Sequence, residues 1–346
     1  MGLPDSTNFL FRNLHPHLFI GTASDRYKGW EGQVYTAGLY AGKESRRSKK
    51  VGGERFVEEL FPVESVEEYF RHFSVLELDF TFYRPLLDNK GAPTQTFELL
   101  SRYGNYLKEG RLILKVPQII SAKKLRRKDG YIANDNYLDP EIFVRQFYRP
   151  ALELLSDRLD GLVFEQEYQL KMERSSPREL ASGLDAFLGS IPKDTRYHFE
   201  LRTGAYLSPQ IFDVLEKHGV GQVLSHWTWL PSLSDQFELS GKRILNCGRK
   251  FIVRLMTPRG VKYEEAYARA YPFDALVSSM LDTQMVSETV KLIREITHRK
   301  ADIYVIINNR AGGNAPLIAR RVAQEFESLR KRPANICFRK NLEKKK

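Results

Sequence analysis

A chain of 346 residues, 42% of them hydrophobic, can bury a large core, which excludes a disordered or low-complexity protein. Its two cysteines, Cys247 and Cys337, have neither metal-ligand spacing nor a disulfide framework, and no stretch approaches the roughly 18 apolar residues of a membrane helix, so a cytoplasmic protein without a membrane partner is expected. The net charge of +11 and pI near 9.4 come largely from clusters at 43–55, 123–128 and 331–346, and point to an anionic small molecule or nucleic acid as partner.

Eight β-type runs follow along the chain, at 18–22, 74–80, 111–116, 161–165, 197–202, 220–225, 251–255 and 302–308. The second alternates strictly: Leu76, Leu78 and Phe80 share one face, and Val75, Glu77 and Asp79 the other. Later runs repeat the pattern. Lys115 stands opposite Leu112, Leu114 and Val116, and Glu165 opposite Leu162 and Phe164. Glu200 and Arg202 stand opposite Phe199 and Leu201, and Arg254 opposite Val253 and Leu255. Helical patterns separate the runs. Ser65 with Glu68 reads as a capping box, and Asp139-Pro140, Ser176-Pro177 and Ser208-Pro209 each pair an N-cap residue with proline at the first helical position. The stretch 283–298 and the segment after Asn314 also read as helices. Eight such alternations predict a single-domain α/β protein, a (β/α)8 TIM barrel over 18–330. An open doubly wound sheet would be apolar on both faces of its central strands. Residues 1–17 and the basic 331–346 are expected to be tails. The long basic insertion after strand 1, residues 23–62, is expected to be a functional lid or mobile insertion. It and the 123–128 cluster follow strands one and three, so both should rim the C-terminal mouth.

Charges inside a barrel are costly unless paired or used. Glu77, Asp79, Lys115, Glu200 and Arg202 are the candidate catalytic residues. Glu77 or Glu200 would serve as general acid or base, while Lys115, Arg202 and Arg254 hold an anion or stabilise developing negative charge. Lys115 also leaves Schiff-base chemistry open. Substrate binding is assigned to Glu165, Arg254, Tyr83, Trp30, His226, Asn308, Asn309, Gly312, Gly313 and Asn314. An interior ion-pair network is the competing reading of the same charges. No cofactor and no metal ligand set is predicted, although the four carboxylates could take Mg2+ through oxygen, against competition from three neighbouring cations. His226 could carry a proton or be structural. After the last run, glycines 312 and 313 precede Asn314, which can cap a helix. That arrangement binds phosphate in many barrels, and is otherwise an ordinary turn. Aromatic residues in these loops, Trp30, Tyr35, Phe82, Tyr83, Tyr206, Trp227 and Trp229, either stack on a ligand or pack the rim.

The motifs at 21–35 (GTASDRYKGWEGQVY), 76–85 (LELDFTFYRP), 115–117 (KVP), 199–202 (FELR), 253–255 (VRL) and 304–315 (YVIINNRAGGNA) occur in register with the runs. Together they resemble the YecE-like (DUF72) family, domains of unknown function that fold as TIM barrels, over residues 18–326. The resemblance implies the fold and no particular reaction. The family usually has Gly-Trp where Ser24-Asp25 stands and Asn where Asp79 stands. It commonly has Thr-His in place of Ser121-Ala122 and Arg-x-His in place of Arg254-Leu255-Met256. These departures imply a divergent branch with an altered or absent activity. Three readings stay open: a hydrolase, lyase or other acid–base enzyme on a phosphorylated or polyanionic substrate at the C-terminal face; a nucleic-acid-binding or processing protein; and an inactive barrel that binds a ligand or partner.

Overall fold

The computed structural model describes residues 9–127 and 130–331. Eight parallel strands close into a barrel: β1 Leu18–Ala23, β2 Val75–Leu78, β3 Arg111–Lys115, β4 Leu159–Gln166, β5 Tyr197–Leu201, β6 Gly221–His226, β7 Lys250–Leu255 and β8 Asp302–Ile307. Neighbours in sequence are neighbours in the sheet, and β8 closes on β1 with Leu18 beside Ile303 and Thr22 beside Ile307. Helices follow every strand, so the expected TIM barrel is formed. No helix among the described residues is long and apolar enough to cross a membrane.

Period-2 alternation explains the two layers. Leu76, Leu78, Leu112, Leu114, Leu162 and Phe164 face outward and are buried under the helices. Val75, Ile113, Val163, Val223, Ile252 and Ile306 face inward and plug the barrel. Each buried aliphatic side chain contributes roughly 1.5–3 kcal/mol. A one-residue slip of any strand would exchange the layers, which fixes the register. At the N-terminal end of the barrel, Asp160 takes the Lys250 ammonium at 2.5 Å and the Tyr304 hydroxyl at 2.6 Å. The β1–β2 seam is tight: a Cβ on Gly21 would lie 1.9 Å from the Val75 carbonyl oxygen, so only glycine fits.

Several local expectations change. The expected N-terminal tail is packed from Phe9 onward, with the Phe11 ring 4.9 Å from Phe73 and its amide donating to the His72 carbonyl at 2.8 Å. The 23–62 insertion is not structureless. It carries an antiparallel hairpin, Ser45–Val51 with Glu54–Leu60, moored where buried Glu58 accepts from the Tyr267 hydroxyl at 2.6 Å. The capping box at Ser65 does not form, because Ser65 is itself helical (φ −62°, ψ −14°) and Glu68 accepts from the Thr36 hydroxyl instead. Asp139 and Ser176 do cap their helices, whereas Ser208 makes no capping bond. The second basic cluster enters a hairpin of Lys124–Arg127 with Gly130–Ala133, where Lys124 pairs with Glu173 at 2.7 Å, and neither Lys123 nor Lys124 lines the cavity at the mouth. Residues 128 and 332–346, which complete the predicted basic clusters, lie outside the described residues.

Candidate active site

Above the apolar plug, at the C-terminal strand ends, six charged side chains meet. Arg254 from β7 is the centre and is 1% exposed. One of its terminal nitrogens donates to Glu77 Oε1 at 2.6 Å; the other donates to Glu200 and, at 3.2 Å, to Glu165 Oε2. Lys115 Nζ lies 2.5 Å from Glu165 Oε2. Arg202 reaches Glu165 Oε1 at 2.7 Å and Glu200 Oε2 at 3.4 Å. Three cations thus answer three carboxylates, which is how this much charge can be buried. Glu77 Oε2, Glu200 Oε1 and Arg254 Nε have no partner among the described residues.

The carboxylates are not equivalent. Burial pushes the Glu77 carboxyl up, and the pull of Arg254 and Lys115 does not cancel it. Glu165 is as deeply buried, yet Arg202, Lys115 and Arg254 together overcome burial and hold it well below the ordinary carboxylate range. Burial also opposes the charge on Arg254; Glu200, Glu77 and Glu165 overcome that and keep it protonated. Neighbouring groups pushed in opposite directions are the arrangement acid–base chemistry uses.

The ring opens into a cavity of about 370 Å³, a size that suits a small ligand. The Phe82 ring lies 4.1 Å from Lys115 Nζ, and the Trp227 ring 5.1 Å from the Arg202 guanidinium. Both cations are therefore flanked by aromatic faces that suit them. Nearer solvent, Arg47, Lys49 and Lys50 of the hairpin, Tyr83, Tyr263 and Arg310 line the wall. The Arg310 guanidinium lies 4.6 Å from the Tyr263 ring centre, and its buried Nε has no hydrogen-bond partner among the described residues.

Of the residues expected from sequence, Glu77, Asp79, Lys115, Glu165, Arg202, Arg254, Tyr83, Asn308 and Asn309 line this cavity. Asp79 accepts from the Ser24 hydroxyl at 2.8 Å. Glu200, fully buried, does not line it and instead anchors Arg254. Trp30 touches no ligand space. It is fully buried, and its indole N–H donates to Asn309 Oδ1 at 3.1 Å, so it fixes a loop. His226 is also buried outside the cavity, with Nε2 3.2 Å from Asp282 Oδ2 and a pKa lowered chiefly by burial. Gly312, Gly313 and Asn314 form no phosphate cradle. The Gly313 amide donates to the Asn309 carbonyl at 2.7 Å, and the Asn314 side chain is taken by the Phe273 carbonyl and the Leu317 amide. The ordinary turn into a capped helix is what forms there. Tyr263 and Arg310 were not singled out from sequence. Arg310 sits in the short helical turn Asn309–Ala311, where strand alternation gives no direction, and Tyr263 opens a helix. Among the described residues no group of His, Cys, Asp and Glu is arranged to hold a metal ion.

No curated protein is a significant match to the chain. Among solved structures, a DUF72 family protein from Enterococcus faecalis V583 (EF0366) is 14% identical, with 90% of this chain and 95% of that chain covered and a TM-score of 0.55. Another, from Thermotoga maritima MSB8 (TM1631), is 15% identical, with 91% and 99% covered and a TM-score of 0.54. At such identity these neighbours speak to fold alone. A family model described as protein of unknown function DUF72 matches residues 19–337, a span that takes in all eight strands but for Leu18 and every charge of the ring, and the chain belongs to that family.

Proposed function

We propose that the protein is an enzyme that moves a proton, in hydrolysis or another acid–base reaction, on a phosphorylated or otherwise polyanionic small molecule at the C-terminal mouth. The observation that carries this is the split between Glu77 and Glu165. Glu77 lines the cavity, keeps Oε1 on Arg254, has no partner for its buried Oε2 among the described residues, and has its pKa raised by burial. A carboxyl whose pKa is raised in this way is suited to giving and taking a proton in acid–base catalysis. Glu165, held ionised, positions Lys115 and Arg202. Those two cations would bind the anionic part of the substrate where it reaches the ring, and Arg310 would bind it at the wall.

A thermal-shift titration with inorganic phosphate, pyrophosphate and a set of sugar phosphates tests the binding half. Binding to the native state raises the melting temperature by mass action. The expected result is a rise in wild type that is lost in Lys115→Met and reduced in Arg310→Ala. Equal shifts in all three proteins, or none in wild type, would overturn the assignment. Turnover of the binding compound should disappear in Glu77→Gln while its thermal shift persists.

A further inference from the structure

The rim of the barrel mouth carries a second feature that proton chemistry does not need. Every exposed large hydrophobic side chain among the described residues, apart from Leu10 and Leu239, lies in a segment that follows a barrel strand, on the mouth side. Five of these are aromatic rings: Tyr83 after β2, Tyr131 after β3, Tyr168 after β4, Trp229 after β6 and Tyr263 after β7. Tyr83 is 67% exposed and Trp229 48%. Tyr168 bridges the two tryptophans of the β6 loop, with ring centres 6.1 Å from Trp227 and 5.9 Å from Trp229. Single exposed apolar residues need no explanation, but rings gathered on one face around a cavity do.

Cations are interleaved with these rings. Arg310 and Lys49 lie 4.6 and 5.9 Å from the Tyr263 ring centre, Arg202 lies 5.1 Å from Trp227, and Arg84 is exposed beside Tyr83. Residues 331–346 carry +6 of the chain's net charge of +11. The interior of a protein–protein interface is depleted in charge. A surface where exposed rings alternate with arginine and lysine instead matches unpaired bases joined by phosphates.

We infer that the mouth rim is a binding surface for single-stranded nucleic acid, with bases stacked on Tyr168, Trp229 and Tyr263 and phosphates met by Arg310, Lys49 and Lys50. A duplex hides the faces of its bases, so the rings have nothing to stack on unless the strand is unpaired. The cavity of about 370 Å³ has room for one nucleotide unit at a time. The inference concerns binding only and does not depend on the proton chemistry proposed for Glu77.

The test is a fluorescence-anisotropy titration of the full chain against a labelled oligothymidine of about twenty nucleotides, at 50 and 200 mM salt, with an unlabelled duplex of equal length as competitor. Wild type should bind, lose affinity steeply with salt, and prefer the single strand to the duplex. Trp229→Ala and Tyr168→Ala, both at exposed positions where folding is not at stake, should each weaken binding about tenfold. Arg310→Ala should weaken it and flatten the salt dependence. Glu77→Gln should bind as wild type does, so that a failure of the chemistry and a failure of the surface are told apart. Absence of binding, stronger binding of the duplex, or ring variants that bind like wild type through the basic C-terminal residues would each overturn the proposal.

Discussion

Replacing Arg254 by methionine is the sharpest perturbation of the ring. Arg254 is 1% exposed and is shared by Glu77, Glu200 and Glu165. Methionine keeps an unbranched apolar stem in the same space and removes the charge. Glu165 would still hold Lys115 and Arg202, whereas Glu77 would lose its ion-pair partner. Removing one member of a buried pair costs about 3–5 kcal/mol, because the other is left buried and uncompensated. Total stabilities are about 5–15 kcal/mol, so the variant should still fold, with a much reduced margin. Protonation limits the loss. Glu77 is already raised above its ordinary value of 4.5, and without Arg254 it rises further, so the native state holds a proton that the unfolded state has released. Stability of the variant therefore falls as pH rises above 4.5, and the penalty is largest in alkali. Urea unfolding followed by circular dichroism should show a loss of about 3–5 kcal/mol at pH 8 and a clearly smaller one at pH 5. A loss under about 1 kcal/mol at pH 8, or one that ignores pH, would mean that the ring is solvated and that the pairing does not hold it.

Glu77→Gln should be at least as stable as wild type at pH 8, since it removes a carboxyl whose raised pKa makes ionisation unfavourable in the native state, and the gap should close as pH falls to 4.5; destabilisation at pH 8 would contradict this. Glu165→Gln has the opposite sign. The contribution of Glu165 is present above its ordinary value of 4.5 and lost as pH falls through its depressed native value, so the variant should lose about 3 kcal/mol or more at pH 7, and acid unfolding of the two proteins should converge. Glu58→Gln weakens both the charge-assisted bonds to Arg47 within the inserted hairpin and the acceptor of the Tyr267 hydroxyl that moors it, so trypsin should cut within 45–60 faster while global urea unfolding changes by less than about 1 kcal/mol. Gly21→Ala forces a Cβ to within 1.9 Å of the Val75 carbonyl oxygen and must part β1 from β2, with an expected loss of about 1–3 kcal/mol or more in urea unfolding.

What the sequence made legible follows from periodicity. An alternating strand discloses which side chains share a face, and helix patterns between strands make that face the inside of a barrel. Glu77, Lys115, Glu165, Arg202 and Arg254 could therefore be placed together although they span 178 positions of the chain. Alternation does not say how far a side chain reaches. Glu200 and Arg254 are both inward, but only the longer arginine lines the cavity, with the glutamate behind it. Loop residues were legible only where a local rule applies. Asp139 and Ser176 obey capping chemistry, whereas Ser65 does not, because the chain is already helical one turn earlier at Val63–Ser65. Trp30 looked like a ligand contact because it lies in a long loop after β1. Its burial is decided by Asn309, 279 residues away, which no local pattern can report.

The register of β4 and β5 explains why the ring needs its far-side arginine. Glu165 and Glu200 are direct neighbours across these strands, and two carboxylates side by side in a dry interior repel each other. Arg202, one step beyond the end of β5, reaches both but binds Glu200 only at 3.4 Å. Arg254 comes from β7, with β6 between it and β5, to hold Glu165, Glu200 and Glu77 at once. The ring is thereby close to neutral, three charges of each sign, and has no spare cation at its floor. An anion arriving at Lys115 and Arg202 competes with Glu165 for the same groups, and its added charge must be met by a cation of the rim or by a proton. Glu77 is the group best placed to take that proton, having a raised pKa, an oxygen without a partner among the described residues and a place on the cavity lining. Ion pairing and proton transfer are therefore not rival accounts of these residues: the pairing that makes the charges tolerable inside the barrel also sets which carboxylate responds when a further charge enters.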